Sequence, residues 1–124
     1  MNREILFRGK RVDSSEWFEG SYWLSRSAVR ETTYITDGYG NLFCVIPETV
    51  GQFTGLTDKN GVKIFEGDII KHKENLFEIK YSTEQARYLA VLTNGVFDPV
   101  AMQNCEVVGN VFDNSELLKG EENE

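Results

Sequence analysis

The feature that most constrains this chain is its run of short apolar stretches separated by turn dipeptides. Phe77, Ile79 and Tyr81 alternate with Glu78, Lys80 and Ser82. Successive strand side chains point to opposite faces, so this is the period of a half-buried strand. Tyr88–Thr93 is apolar on both faces and reads as a more buried strand. Trp17–Leu24 alternates large residues around Gly20, a glycine that suggests a bend or bulge. Glu106–Phe112 is a further strand with Gly109 in its middle, and shorter ones fall at Ile5–Arg8, Thr33–Thr36, Leu42–Ile46 and Lys63–Lys71. Asp37-Gly38, Asn60-Gly61 and Asn94-Gly95 lie between these runs. Such pairs supply the positive φ that both central residues of a type I′ turn need. Frequent turns between short strands point to a meander or small barrel. Helix is expected only as a short C-terminal turn at Asn114–Leu118, capped by Asn114 or Ser115. Ser25–Arg30 reads equally as a helical turn or a loop.

The segment Ile64-Phe65-Glu66-Gly67-Asp68-Ile69-Ile70 adds architectural detail. A Gly-Asp pair entering a β-branched run suits small SH3-like barrels. The glycine allows a tight bend, and the aspartate bonds backbone amides as the chain enters the strand. The 124 residues, 40% of them hydrophobic, suit one β domain over 1–118 or two subdomains, about 1–46 and 47–118. An acidic tail, 119–124, follows and is expected to fray.

Net charge is −7, which opposes a phosphate backbone in general. The charge is unevenly placed. Residues 1–30 hold six Lys or Arg against four acids, and the remainder holds seven against sixteen. The cations near the start are Arg3, Arg8, Lys10, Arg11, Arg26 and Arg30. Cys44 and Cys105 each sit in or beside an apolar run and read as buried thiols. The charged start lacks the apolar core of a signal peptide, and no stretch reaches the roughly 20 apolar residues that span a bilayer. The expected setting is reducing, cytoplasmic and away from membranes.

Most catalytic chemistry finds no support. The one histidine, His72, lies in a polar stretch that reads as a hairpin tip, and no sequence feature places a nucleophile beside it. One His and two separated Cys make no ordinary zinc site. Asp58-Lys59-Asn60-Gly61 fails as a calcium loop, because its glycine falls fourth rather than sixth. Asp58, Glu66 and Asp68 are a carboxylate grouping of the kind a metal or acid–base work needs, but twenty acids make such groupings common by chance. No Gly-rich phosphate loop is present, so no cofactor and no metal is expected.

The aromatic residues carry more information. Trp17, Phe18, Tyr22 and Trp23 follow directly on the basic stretch Arg8–Arg11. Aromatics interleaved with Arg stack single-stranded bases. The same residue types anchor protein interfaces. Strand alternation also commits some of them to the core.

These residues also carry a family resemblance. The opening Arg3-Glu4-Ile5-Leu6-Phe7-Arg8-Gly9-Lys10-Arg11, followed by Trp17-Phe18-Glu19-Gly20, resembles that of the YopX family. The most specific stretch runs from Pro47 through Val50-Gly51-Gln52-Phe53-Thr54-Gly55-Leu56 to Gly61, and continues into Ile64–Ile70. Val108-Gly109-Asn110-Val111-Phe112-Asp113-Asn114 resembles the family's ending. The resemblance implies a phage or prophage origin, a bacterial cytoplasm, and a mainly β fold of SH3-like type with an added β element. It carries no catalytic residues. It makes the polar, glycine-rich segment Thr49–Gly55, with Thr49, Gln52 and Thr54, a candidate for a role beyond folding. Local backbone bonding by those side chains is the plainer account.

The expected function is a non-enzymatic accessory protein that serves as a protein-interaction or assembly module. Its partner is a host or phage protein, and self-association through sheet edges is a further expectation. The alternative is a nucleic-acid-binding module that uses the N-terminal basic and aromatic segment. The candidate binding residues are Arg8, Lys10, Arg11, Trp17, Trp23, Thr49, Gln52 and Thr54.

Overall fold

The computed structural model describes residues 5–92, 95–99 and 104–118. Expectations on Arg3, Glu4, Thr93, Asn94 and the tail 119–124 lie outside the described residues. Eleven strands are described: β1 (Phe7–Lys10), β2 (Trp17–Arg26), β3 (Glu31–Thr36), β4 (Leu42–Cys44), β5 (Gly51–Thr57), β6 (Lys63–Phe65), β7 (Asp68–His72), β8 (Asn75–Ser82), β9 (Arg87–Leu92), β10 (Gly95–Phe97) and β11 (Glu106–Asn110). A short 3-10 turn, Pro47–Thr49, precedes β5, and residues 116–118 form the C-terminal helical turn. The chain is mostly β, as its periodicity implied, and its strands form two antiparallel sheets. Among the described residues neither sheet closes on itself, since the first and last strands of each are not neighbours.

The chain divides into two compact units, Met1–Phe53 and Thr54–Glu124. The divide follows Phe53 rather than residue 46 because the intervening segment is bonded to β1. Ile46 N–H donates to the Lys10 carbonyl at 2.8 Å, and Lys10 N–H donates to Thr49 Oγ1 at 2.9 Å. The start of β5 pairs with β1, Phe7 opposite Gln52 and Arg8 opposite Gly51.

In unit one the strands run β4-β3-β2-β1-β5. Residues directly opposite in an antiparallel pair share a face. Phe7 and Gly9 are opposite Gly20 and Phe18, and Ile35 is opposite both Tyr22 and Phe43. That face is the core of the unit. Ile35 and Val45 are buried on it, and the Phe18 and Phe43 rings stack 4.0 Å apart at 5°. The register of β2 is regular through Gly20, so the glycine marks no bulge. A Cβ there would stand 2.0 Å from the Thr36 carbonyl oxygen, so only glycine lets β3 approach.

In unit two the five-stranded sheet has the order β10-β9-β8-β7-β11. Ile70, Phe77, Ile79, Ala90 and Cys105 are buried against Ile64, with Leu56, Tyr88, Leu92 and Val107 packed around them. Each fully buried Ile or Phe contributes about 2 kcal/mol of apolar transfer, which is what fixes this register. A one-residue slip would put Ile79 where Glu78 now stands.

The single strand expected over Lys63–Lys71 is two, broken at Glu66-Gly67. Gly67 has φ +93°, a left-handed conformation that favours glycine. Its N–H donates to the Ile79 carbonyl at 2.8 Å and its carbonyl accepts from Val111 N–H at 2.9 Å. The expected type I′ turns also differ. At Asp37-Gly38 and Asn60-Gly61 only the glycine has positive φ, and each connection is longer than two residues. Aspartate side chains close them instead. Asp37 Oδ1 accepts from Tyr39 N–H at 2.8 Å, and Asp58 Oδ1 accepts from Asn60 and Val62 N–H at 2.8 and 2.9 Å. A two-residue hairpin, Lys73-Glu74, joins His72 to its partner Asn75. Ser25–Arg30 is the end of β2 and its hairpin loop, not a helical turn.

Gly20→Ala is expected to lower unfolding stability by about 1–3 kcal/mol through overpacking. Urea unfolding of parent and variant checks this, with a left-shifted midpoint at unchanged slope as the expected result.

Candidate functional site

The alternation of β1 and β2 sorts the candidate residues into two sets. Arg8 is opposite Glu19 and Lys10 is opposite Trp17, so these four share the face of the unit-one sheet that Phe7 and Phe18 do not occupy. Arg8 is also opposite buried Gly51, and its Nε is buried, so this face is not open to water at Arg8. Trp23 is on that face too, being an even number of residues along β2 from Trp17. It is opposite Tyr34, which is in turn opposite Cys44. The Arg8 guanidinium lies over the Trp17 ring, 4.8 Å from its centroid, a cation–π contact. The Trp23 and Tyr34 rings are 6.0 Å apart and tilted by 38°. Trp23 is 51% exposed, a large apolar side chain left in water.

The other candidates have different surroundings. Arg11 is opposite Val45, on the core face, where its guanidinium lies 5.9 Å from Phe18 and 6.0 Å from Phe43. Its Nε also pairs with Asp13 at 2.6 Å. Gln52 is opposite Phe7 on the same core side. Thr49 is buried, and its hydroxyl accepts from Lys10 N–H and donates to the Ile46 carbonyl at 2.6 Å. Thr54 donates to the Ile64 carbonyl at 2.8 Å and accepts from Leu56 N–H at 3.1 Å. Both threonines serve the backbone. The structure therefore gathers Arg8, Lys10, Trp17 and Trp23, and adds Tyr34. Tyr34 carries no mark of this role in the sequence because it lies on a different strand, and only the β2–β3 register brings it to Trp23.

The carboxylates have structural work. Asp58 is 6% exposed and accepts three backbone N–H bonds, from Asn60, Val62 and Val107, the last at 2.9 Å across 49 residues. Burial alone would raise its pKa. The N–H bonds from Val107, Val62 and Asn60, with the nearby Lys59 charge, outweigh that and hold it below the ordinary value of 3.8. Asp68 is 1% exposed, and its Oδ2 accepts from Phe65 N–H at 2.8 Å across the Gly67 turn. Among the described residues no three His, Cys, Asp or Glu side chains gather into a metal site. His72 ends β7 half-buried beside the Lys73-Glu74 hairpin. Cys44 and Cys105 are both free thiols, and burial, with the charge of Asp58, raises the pKa of Cys105. Among the described residues no helix is long and apolar enough to cross a membrane.

Fold and face together define a mostly β, two-unit protein with an aromatic and basic sheet face. The chain belongs to the YopX family: the family's model, described as YopX protein, matches residues 6–119. Among solved structures it is similar to the crystal structure of protein EF1440 from Enterococcus faecalis, at 24% identity and a TM-score of 0.59. That likeness covers 94% of this chain and 99% of the other, and shows the fold alone. No curated protein sequence matches the chain.

Two outcomes follow. Asp58→Asn places an amide where a carboxylate oxygen accepts from Val107, and is expected to cost about 1–3 kcal/mol at neutral pH. Asp58 has a folded-state pKa below 3.8. Its contribution is thus complete above that value and lost as pH falls through the folded value. Unfolding measured from pH 7 downward should show the gap between parent and variant narrowing below about pH 4. Separately, saturating Mg²⁺, Mn²⁺ or Ca²⁺ is expected to leave the melting temperature unchanged, since a native-state ligand must raise it.

Proposed function

We propose that this protein is a non-enzymatic accessory module of phage or prophage origin that binds another protein in the bacterial cytoplasm. The binding surface is centred on Trp23 and Tyr34, on the face of β2 that also carries Trp17. The observation that carries this reading is the sharing of one face by Arg8, Lys10, Trp17, Trp23 and Tyr34, with Trp23 half in water. Trp, Tyr and Arg are the residues that dominate protein interfaces when truncated. Two of the three candidate carboxylates, Asp58 and Asp68, are instead bonded to backbone N–H groups. The SH3-like description of unit two belongs to the same proposal, and the Gly67-Asp68 turn into β7 supports it. Assembly by strand addition is a further part of this proposal, and among the edge strands β11, five residues long, offers more backbone than β4 or β10, with three each.

A nucleic-acid ligand is the second reading, favoured by the Arg8 guanidinium over Trp17 with Lys10 across from it. Pull-downs from bacterial lysate with the parent, Trp23→Ala and Lys10→Glu, each with and without nuclease, separate the two. The expected result is a discrete protein that survives nuclease and is depleted by both variants. Recovery of nucleic acid, with companions lost on nuclease treatment, would replace the first reading with the second.

A further inference from the structure

We infer that the binding surface is an uncharged strip running from Trp23 through Tyr34 and Leu42 to Tyr39, at the tip of the β3–β4 hairpin. Its partner is a different folded protein whose contact patch is uncharged and recessed to take the Tyr39 ring, so that the two are held without ion pairs. This rests on the protein-binding reading above and names the chemistry of that partner. Register places the strip. Trp23 is opposite Tyr34, and Tyr34 is opposite Cys44. Two residues along, Ser21 is opposite Thr36, and Thr36 is opposite Leu42. Two residues the other way, Ser25 is opposite Thr32. Residues at even spacing share a face. None of these side chains is charged, in a chain with 13 basic and 20 acidic residues. Beyond Ser25, Arg26 pairs with Glu31 at 2.9 Å. Two residues before Ser21, Glu19 is opposite Arg8. The strip is thus a neutral window between paired charges.

The hairpin adds a projecting ring. Tyr39 is 90% exposed, against 51% for Trp23 and 46% for Leu42. The backbone that carries it is nonetheless fixed. Asp37 Oδ1 accepts from Tyr39 and Asn41 N–H at 2.8 and 3.3 Å, and Asp37 Oδ2 accepts from Asn41 Nδ2 at 2.7 Å. The acid of the loop is therefore engaged by the loop's own N–H groups. A ring held out in water on an ordered backbone loses little freedom when it is bound. A projecting loop fits a recess, as long binding loops do. Charge decides between the classes of occupant. A nucleic-acid strand carries a phosphate at every step and needs cations along its track, and this strip has none. A second copy would bring a net charge of −7 against −7. A neutral patch on a different protein meets neither penalty, and the hydroxyls of Ser21, Ser25 and Thr32 supply polar contacts around the rings.

The test replaces Tyr39 in the full chain with the photoreactive amino acid benzoylphenylalanine, in bacterial cells. The protein that cross-links is identified by mass and purified. It is then titrated against the parent, Trp23→Ala and Tyr39→Ala, at roughly 50 and roughly 500 mM NaCl. Each variant should weaken binding about tenfold or more at an unchanged melting temperature. The rise in salt should change the parent's affinity by about twofold or less, since no ion pair is there to be screened. Affinity that falls about tenfold or more with salt would overturn recognition without ion pairs. A partner that depends on Trp23 but ignores Tyr39→Ala would overturn the inserted ring. Both results would leave the binding face standing. A cross-linked product of two copies of this chain, or no product at all, would overturn the inference. A partner insensitive to both variants would overturn the protein-binding reading with it.

Discussion

One carboxylate holds together much of unit two. Asp58 closes the connection between β5 and β6 by accepting from Asn60 and Val62, and the same side chain reaches Val107 at the start of β11. Lys59 N–H donates to the Cys105 carbonyl at 3.0 Å beside it. The last strand of the chain is thus tied to a turn formed half a chain earlier. Burying a carboxylate is costly, and hydrogen bonds to a charged group are worth about 1.5–3 kcal/mol each. Three of them offset the cost. Asp68 repeats the device on a shorter scale, holding Phe65 N–H across the turn that Gly67 permits. These acids act as templates for the backbone.

That assignment accounts for how the sequence could be read. The alternation at Phe77–Tyr81 marks β8 directly because one face is buried and the other wet. β5 carries no such mark. Its buried positions begin with Gly51, and a glycine at a core position gives no hydrophobic signal, so the strand reads as a polar connection. The β7–β8 hairpin was legible as a polar stretch around His72, but its turn type was not. Lys73 takes positive φ without being glycine or asparagine, the residues by which such turns are recognised. Residues of the candidate face were legible by parity along each strand, Arg8 with Lys10 and Trp17 with Trp23. Which face of β1 matches which face of β2 depended on register, and that set Arg11 apart from its two basic neighbours.

The functional reading follows from what folding leaves over. Phe18, Phe43 and Ile35 fill the inner side of the unit-one sheet, and Arg11 covers two of those rings. Thr49 and Thr54 are bonded to backbone. The other face keeps two tryptophans, a tyrosine and two cations in a chain whose net charge is −7, with Trp23 its exposed end. Membership of the YopX family and the fold shared with the Enterococcus faecalis protein place this face on a scaffold that recurs.

The chain has only two tryptophans, and both lie on that face. Their indole N–H signals in a two-dimensional ¹⁵N–¹H NMR spectrum therefore report on the proposed surface alone. When a bound partner is titrated in, both indole signals should move together with the backbone signals of Arg8, Lys10 and Tyr34. Binding that shifts signals elsewhere while both indoles stay fixed would contradict the account.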